Sequence, residues 1–367
     1  MRILYFSRDY TPHDHRFLSA LAESEHQAFY LRLERSNRQL ESRPVPEAVE
    51  QIQWRGGQTP ARLADGPALL WDLQRVIRRI RPDVIHAGPI QNCALLAGLS
   101  GFQPLVSISW GSDLLRDADS SPRMRWATRT ALGRTRLLLA DCRVVQKKAE
   151  SFGFPGERTI LFPWGVDLQH FSPGPAEDWR TRRGWEDAFV LISVRSWEPL
   201  YGVEILARAF VRAAAQIPEL RLILLGNGSQ AALIRGILEQ GGVSERVFFG
   251  GQVGQPDLPP FYRAADLYIS TSHSDGSSVS LMEALACGKP ALLSDIPANR
   301  EWVAPGREGW WFQDGSVDEL TAGIIHAHES RAQLAEMGAA ARRLAEERAD
   351  WQKNKRILLK AYEQARG

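Results

Sequence analysis

Short apolar runs alternate with helix-period stretches along almost the whole chain. Residues 3–6 are apolar and precede helical spacing over 17–21; 84–87 precede 92–99; 105–108 stand next; and 137–140 precede 144–152. Runs of this length, bounded by turn residues and followed by helices, predict a parallel sheet with helices on its faces. The second half repeats the order: 189–194, a helix over 203–216, 220–225, a helix over 230–239, 247–249, 267–269, a helix carrying Glu283, and 291–293. After Ser316 an Ala-rich, charged helical periodicity runs to Arg366. The fold class is therefore α/β, with two Rossmann-like halves. Phe171, Ser172, Pro173, Gly174 and Pro175 form a Pro/Gly-rich connection between them, so the domain boundary is expected at 172/173. Ligands of doubly wound sheets bind at the carboxyl ends of the strands, and two such halves facing each other would make a cleft with room for two substrates.

In the second half, the local signals over 270–290 converge on a ligand site. Leu267, Tyr268 and Ile269 are β-favouring, and Asp275-Gly276 is a turn dipeptide. Ser277 or Ser278 can cap a helix in which Val279, Met282, Leu285 and Ala286 recur at helical spacing. Strand, tight turn and helix start together offer unpaired backbone N–H groups and the positive end of a helix dipole, which suits phosphate oxygens. Gly276 permits close backbone approach. Glu283, about a turn and a half inside the helix, can accept from a ribose diol, while Asp275 stands at the mouth. The same residues also fit plainer roles, since 280–283 reads as a capping box and Asp-Gly is a common turn.

Composition narrows the class. A chain of 367 residues, 44% hydrophobic and 24% charged, has the make-up of a soluble globular protein with room for two domains. The amino terminus reads as a first strand, not a signal peptide, and no apolar run approaches the roughly 18 residues of a membrane span, so a cytoplasmic location is expected. Cys93, Cys142 and Cys287 lie far apart without metal-ligand spacing and are expected to be reduced core residues. No metal site and no nucleic-acid partner are expected. Residues 1–175 hold 23 Lys and Arg against 18 acids, and the remainder 22 against 25, so the halves carry opposite sign. Within the basic half, 122–139 carries Arg123, Arg125, Arg129, Arg134 and Arg136 with no acid, around Met124 and Trp126. A basic amphipathic helix of this kind can touch anionic lipid as a peripheral contact, grip an anionic substrate, or be a solvated face.

Ordered blocks carry the reading further. Trp164-Gly165-Val166-Asp167 with Phe171 and Pro173 comes first, then Arg195 ahead of Gly202 and Phe210, Gly226-Asn227-Gly228, and residues 247–250. Tyr262-Arg263-Ala264-Ala265-Asp266, the 270–290 stretch, and Arg300-Glu301 before Gly306 and Gly309 follow. In this set the chain resembles the retaining glycosyltransferases of family 4 (glycosyl transferases group 1), over nearly its whole length and most strongly in the second half. The resemblance implies the GT-B architecture, two Rossmann-like domains facing across a cleft. An acceptor domain would span 1–172 and a nucleotide-sugar donor domain 173–349, with a helix over 350–367 packing back on the first domain. It further implies a hexosyltransferase that needs no cofactor or metal. Its co-substrate would be a nucleotide diphosphate sugar, UDP-linked by base rate with GDP- and ADP-sugars as alternatives, and its acceptor a glycan, lipid or small molecule. By motif position the resemblance assigns Arg195 to the diphosphate and Gly276, Ser277, Ser278, Val279, Ser280 and Leu281 to the phosphate cradle. It assigns Glu283 to the ribose hydroxyls, Asn227 and Val253 to the neighbourhood of the base, and Asp275 to the donor sugar, with Asp275 and Arg195 as the catalytic pair.

The resemblance breaks at the site itself. Asp275 stands where the family's first acid is usually glutamate, and Leu200-Tyr201 occupies the place of a lysine before Gly202. Trp110, in Ser109-Trp110-Gly111-Ser112-Asp113, replaces a histidine, and the glycine-rich loop expected after the first strand reads Tyr10-Thr11-Pro12-His13-Asp14-His15-Arg16. Arg16, or His13 or His15 when protonated, is expected to supply the charge that Tyr201 lacks, with Trp110 as a sugar platform. Asp14, Asp113 and His86 complete the acceptor-side or sugar-side candidates, although a histidine closing a buried strand is as readily structural. The alternative readings are a weak or inactive sugar-nucleotide or glycan-binding partner and a sugar-nucleotide epimerase. A nicotinamide enzyme is disfavoured, because no Gly-x-Gly-x-x-Gly turn follows the first strand.

Overall fold

The apolar runs form two parallel sheets in the computed structural model, which describes residues 1–35 and 41–367. The first contains β1 (Arg2–Ser7), β2 (Gln27–Arg32), β3 (Val49–Gln51), β4 (Val84–Gly88), β5 (Leu105–Ile108), β6 (Leu137–Ala140) and β7 (Thr159–Leu161), in the order β3-β2-β1-β4-β5-β6-β7. The second contains β8 (Phe189–Ser193), β9 (Leu220–Leu225), β10 (Val247–Gly251), β11 (Leu267–Ser270), β12 (Ala291–Ser294) and β13 (Gly309–Phe312), in the order β10-β9-β8-β11-β12-β13. Strand order reverses between β1 and β4 and again between β8 and β11, which marks the crevices where such sheets bind ligands.

β4, β5, β6, β8, β11 and β12 are buried at every residue. Helices cover both faces of these strands, so they read as continuous apolar runs. In β8, Phe189 and Leu191 pack with Phe210 and Ile324 on one face, while Val190 and Ile192 pack with Tyr262, Tyr268, Leu281 and Leu285 on the other. The three cysteines are buried thiols outside any disulfide. Among the described residues no helix is long and apolar enough to cross a membrane.

Three local expectations shift. The segment 10–16 is not an open loop: Thr11 and Asp14 form a capping box and the helix Pro12–Ala22 begins there. The helix expected from 92 is preceded by a wider turn over Ile90–Ala94 and is regular only over Leu95–Leu99. The basic helix ends at Arg134, because Thr135 turns to extended backbone and leads into β6, leaving Arg136 outside it.

The chain divides at 163/164, not at 172/173, into Met1–Pro163 with Gln352–Gly367 and Trp164–Trp351. The 164–172 segment belongs to the second unit because its side chains and carbonyls are used there. Val166 and Phe171 are fully buried in that unit's core. Arg342 Nη1 donates to the carbonyls of Leu168 (3.2 Å), Phe171 (2.9 Å) and Ala286 (2.7 Å), and Arg263 Nε donates to Ser172 O at 2.9 Å. The segment from Gln352, within the helix Trp351–Arg366, belongs to the first unit, where Leu358, Ala361 and Tyr362 are buried.

Candidate functional site

Beyond β8 the chain reaches Arg195, and beyond β11 it runs through Asp275 to the helix Val279–Ala286. These two segments flank the reversal of strand order in the second sheet. An eight-residue helix is marginal alone; here Leu281, Met282 and Leu285 anchor it in the core. Its start is locally tied: Ser278 Oγ accepts from Leu281 N (3.4 Å), Ser277 Oγ accepts from Trp302 Nε1 (3.0 Å), and Asp275 Oδ1 accepts from Gly276 N (3.0 Å).

Arg195 joins the pieces. Its Nη2 donates to Asp275 Oδ2 at 2.6 Å, and its Nη1 to Ser278 Oγ at 2.7 Å and Ser280 Oγ at 3.0 Å. The guanidinium carbon lies 4.4 Å from the centroid of the Tyr201 ring. Burial opposes the charge, but Asp275 together with Tyr268 and Tyr201 outweighs it and holds the guanidinium pKa above its ordinary value. Arg195 Nε is buried and has no hydrogen-bond partner among the described residues. Tyr201, which stands where the resemblance expects a cation, thus supplies a ring face to the neighbouring cation.

Glu283 is almost wholly buried and accepts a hydrogen bond from the Tyr262 hydroxyl at 2.8 Å. Val279 packs against the core and Leu281 lies within it, so what these two offer the helix mouth is backbone. The Gly226-Asn227-Gly228 turn lies along the Arg195 segment: Asn227 O accepts from Trp197 N at 3.0 Å, and Asn227 Oδ1 from Gly228 N at 2.8 Å. Gly226 has φ +101°, and a Cβ there would sit 2.5 Å from Arg195 O. Val253, beyond β10, is partly buried against the second unit's core.

The first-unit candidates have structural employment. Asp14 accepts from Thr11 N and the Tyr5 hydroxyl, both at 2.9 Å, and burial raises its pKa to about 6 against these hydrogen bonds. His13 stacks on Trp110 with centroids 5.0 Å apart, so one face of the indole is already covered. Burial first, and Arg16 second, lower the His13 pKa to about 3, and burial lowers that of His15 too. Neither histidine supplies positive charge near neutral pH; Arg16 is the cation of this segment. His86 shares a 2.6 Å hydrogen bond with the Tyr362 hydroxyl and packs edge-on against Tyr5, and burial lowers its pKa to about 3. It is a core histidine. Asp113 accepts from Ile90 N and Leu114 N at 3.0 Å and from Ser109 Oγ at 2.6 Å, closing the loop that carries Trp110.

Two contributors escaped the sequence reading. Tyr262 holds Glu283, and the Tyr268 hydroxyl shares a 2.7 Å hydrogen bond with Ser280 Oγ. The available signal was a tyrosine amid apolar neighbours, because a buried phenol needs a polar partner.

The family described as Glycosyl transferases group 1 matches residues 175–344, and Glycosyltransferase Family 4 matches residues 13–170. The chain belongs to the family 4 glycosyltransferases. One relative of this family 4 chain is the D-inositol 3-phosphate glycosyltransferase of Thermobispora bispora, 29% identical over 226 residues, 59% of this chain and 53% of that protein. Another is the GDP-mannose-dependent alpha-(1-6)-phosphatidylinositol monomannoside mannosyltransferase of Mycolicibacterium smegmatis, 26% identical over 212 residues, 55% of each chain. The chain spans about half the length of these curated relatives. Among solved structures, Anabaena HepE in complex with UDP and glucose superposes with a TM-score of 0.81 at 20% identity, over 99% of this chain and 100% of that one. Sucrose-phosphate synthase from Thermosynechococcus elongatus gives 0.80 at 18% identity, over 99% and 98%. These likenesses establish the fold of the family 4 chain as GT-B, with two Rossmann-like α/β domains.

Proposed function

We propose that the protein is a retaining hexosyltransferase that moves a sugar from a nucleoside diphosphate, UDP in preference to GDP or ADP, to an acceptor hydroxyl. The observation that carries this reading is the Arg195 cradle: a guanidinium kept charged at a helix start, beside Ser278, which caps the helix, and Ser280 in its first turn. As the anomeric bond breaks, negative charge gathers on the departing diphosphate, and donors already aimed there stabilise it more than the ground state. The diphosphate then takes the acceptor's proton on the same face, so the configuration is retained and no separate base, metal or resident cofactor is invoked. UDP is favoured because HepE is described in complex with it; the GDP-mannose-dependent relative supplies the competing choice. The relatives' names, an inositol phosphate in one and a phosphatidylinositol mannoside in the other, favour a polyol or lipid-borne acceptor over a long glycan.

A thermal-shift panel of UDP, GDP and ADP tests the donor. A ligand at 100 times its Kd stabilises by about 2.7 kcal/mol, so UDP is expected to raise Tm most. No shift with any of the three would overturn the reading, and a GDP-only shift would reassign the base. Anomeric retention is checked by NMR of the product.

A lipid-borne acceptor also fits the basic helix Pro122–Arg134. Trp126 is 56% exposed there, and Arg123, Arg125, Arg129 and Arg134 are exposed on the same helix. Flotation with anionic vesicles, and absence from neutral ones, is the expected result. Absence from both would leave this face as solvated surface.

A further inference from the structure

We propose that Tyr262 is a positioning residue for Glu283, fixing the carboxylate in the pose that receives the donor's ribose diol. The inference rests on the reading of Glu283 as the ribose-binding acid. Tyr262 lies on the helix Pro259–Ala264 and is fully buried, its ring 6.0 Å from Phe171 and 6.4 Å from Tyr268 by centroid. From that enclosed position its hydroxyl donates to Glu283 Oε2 at 2.8 Å and lies 3.2 Å from Ser280 O. One phenol therefore touches both the acid at the deep end of the helix and the residue whose hydroxyl meets Arg195.

Glutamate has three side-chain torsions, and a buried carboxylate left loose would have to be ordered by each incoming ligand. A hydrogen bond to the charged carboxylate pre-pays that ordering. Burial, and then the neighbouring Glu283 charge, push the Tyr262 hydroxyl well above its ordinary pKa, so it remains a donor throughout the working range. A purely structural Tyr262 would instead brace the helix without regard to what the carboxylate binds.

The test measures the affinities of UDP, 2′,3′-dideoxy-UDP and inorganic pyrophosphate for the wild type, Glu283→Gln, Tyr262→Phe and Glu283→Asp. The wild type is expected to prefer UDP over the dideoxy compound about tenfold or more, as for a well-made charge-assisted contact. Glu283→Gln should lose most of that preference. Tyr262→Phe should weaken UDP roughly three- to tenfold and leave the dideoxy compound and pyrophosphate unchanged, with KM for the sugar nucleotide raised and kcat little altered. Glu283→Asp withdraws the carboxylate from an intact Tyr262 and should behave like Tyr262→Phe, so the proposal stays testable if the latter folds poorly. A preference retained in Glu283→Gln would overturn the ribose reading itself. Loss in Glu283→Gln with full preference in Tyr262→Phe, or in Glu283→Asp where the former does not fold, would overturn only the role given to Tyr262. Equal weakening of all three ligands by Tyr262→Phe would mark a structural brace and overturn it too.

Discussion

Replacing Arg195 by alanine is expected to lower kcat/KM for the sugar nucleotide roughly 10- to 150-fold, the equivalent of about 1.5–3 kcal/mol for hydrogen bonds to a charged group. The guanidinium is gripped by Asp275, Ser278 and Ser280 and backed by Tyr201, so its position is fixed before any ligand arrives. Fixed charge is worth most where charge develops, so the loss should fall on kcat as well as KM. Asp275 sharpens the expectation. In the free protein it holds Nη2, so a diphosphate must share or displace that contact. In Arg195→Ala the carboxylate is left without its partner and repels the diphosphate. Adding Asp275→Asn to Arg195→Ala should therefore recover part of the nucleotide affinity without recovering turnover. Arg195→Lys should fall between alanine and wild type, because a point charge cannot span Asp275 and the two serines as a planar fork does. Steady-state kinetics with the donor identified by the thermal-shift panel measure the three variants against the wild type. Unchanged kcat/KM in Arg195→Ala would remove the cradle from the mechanism.

What the residues disclosed in advance was local. β8, β11 and β12 are covered on both faces, so Phe189 to Ser193 or Ala291 to Ser294 could be read as strands from apolarity alone. β3 lies at the sheet's edge; it is three residues long with two exposed, and no run marks it. The Gly66–Ile80 helix buries Leu69, Leu73, Val76 and Ile80 at helical spacing, a signal present in the chain that the alternation of longer runs obscured. At the site, the turn at Asp275-Gly276, the cap at Ser278 and the placement of Glu283 all lie within a few residues and were legible. The Arg195 to Asp275 contact spans 80 residues and was not.

The errors have the same origin. Composition favoured the 171–175 connection as a boundary, but Arg263 and Arg342 reach back to it from distant helices and hold it in the second unit. His13 and His15 looked like available cations because an unperturbed histidine titrates near neutrality. Whether it does so in place depends on burial, which only the fold supplies.

Gly226→Ala should damage both stability and donor binding, and a second glycine separates the causes. Gly226 has φ +101°, and its added Cβ would lie 2.5 Å from Arg195 O and 3.3 Å from Trp197 Nε1. The first of these is backbone and cannot swing aside, so the Arg195 segment itself must move. Gly184, in the same unit, has φ +62° and, among the described residues, nothing within 4 Å of an added Cβ. Gly184→Ala therefore carries only the cost of a left-handed conformation, about 1–2 kcal/mol. Gly226→Ala carries a similar strain plus the clash, for a total loss of about 2–4 kcal/mol in urea unfolding, with weaker UDP binding because Arg195 is displaced. Gly184→Ala should bind UDP as the wild type does. If Gly226→Ala were no less stable than Gly184→Ala, the close packing of the Gly226 turn on Arg195 would be wrong. Lower stability with undiminished UDP affinity would instead place that turn outside the nucleotide site.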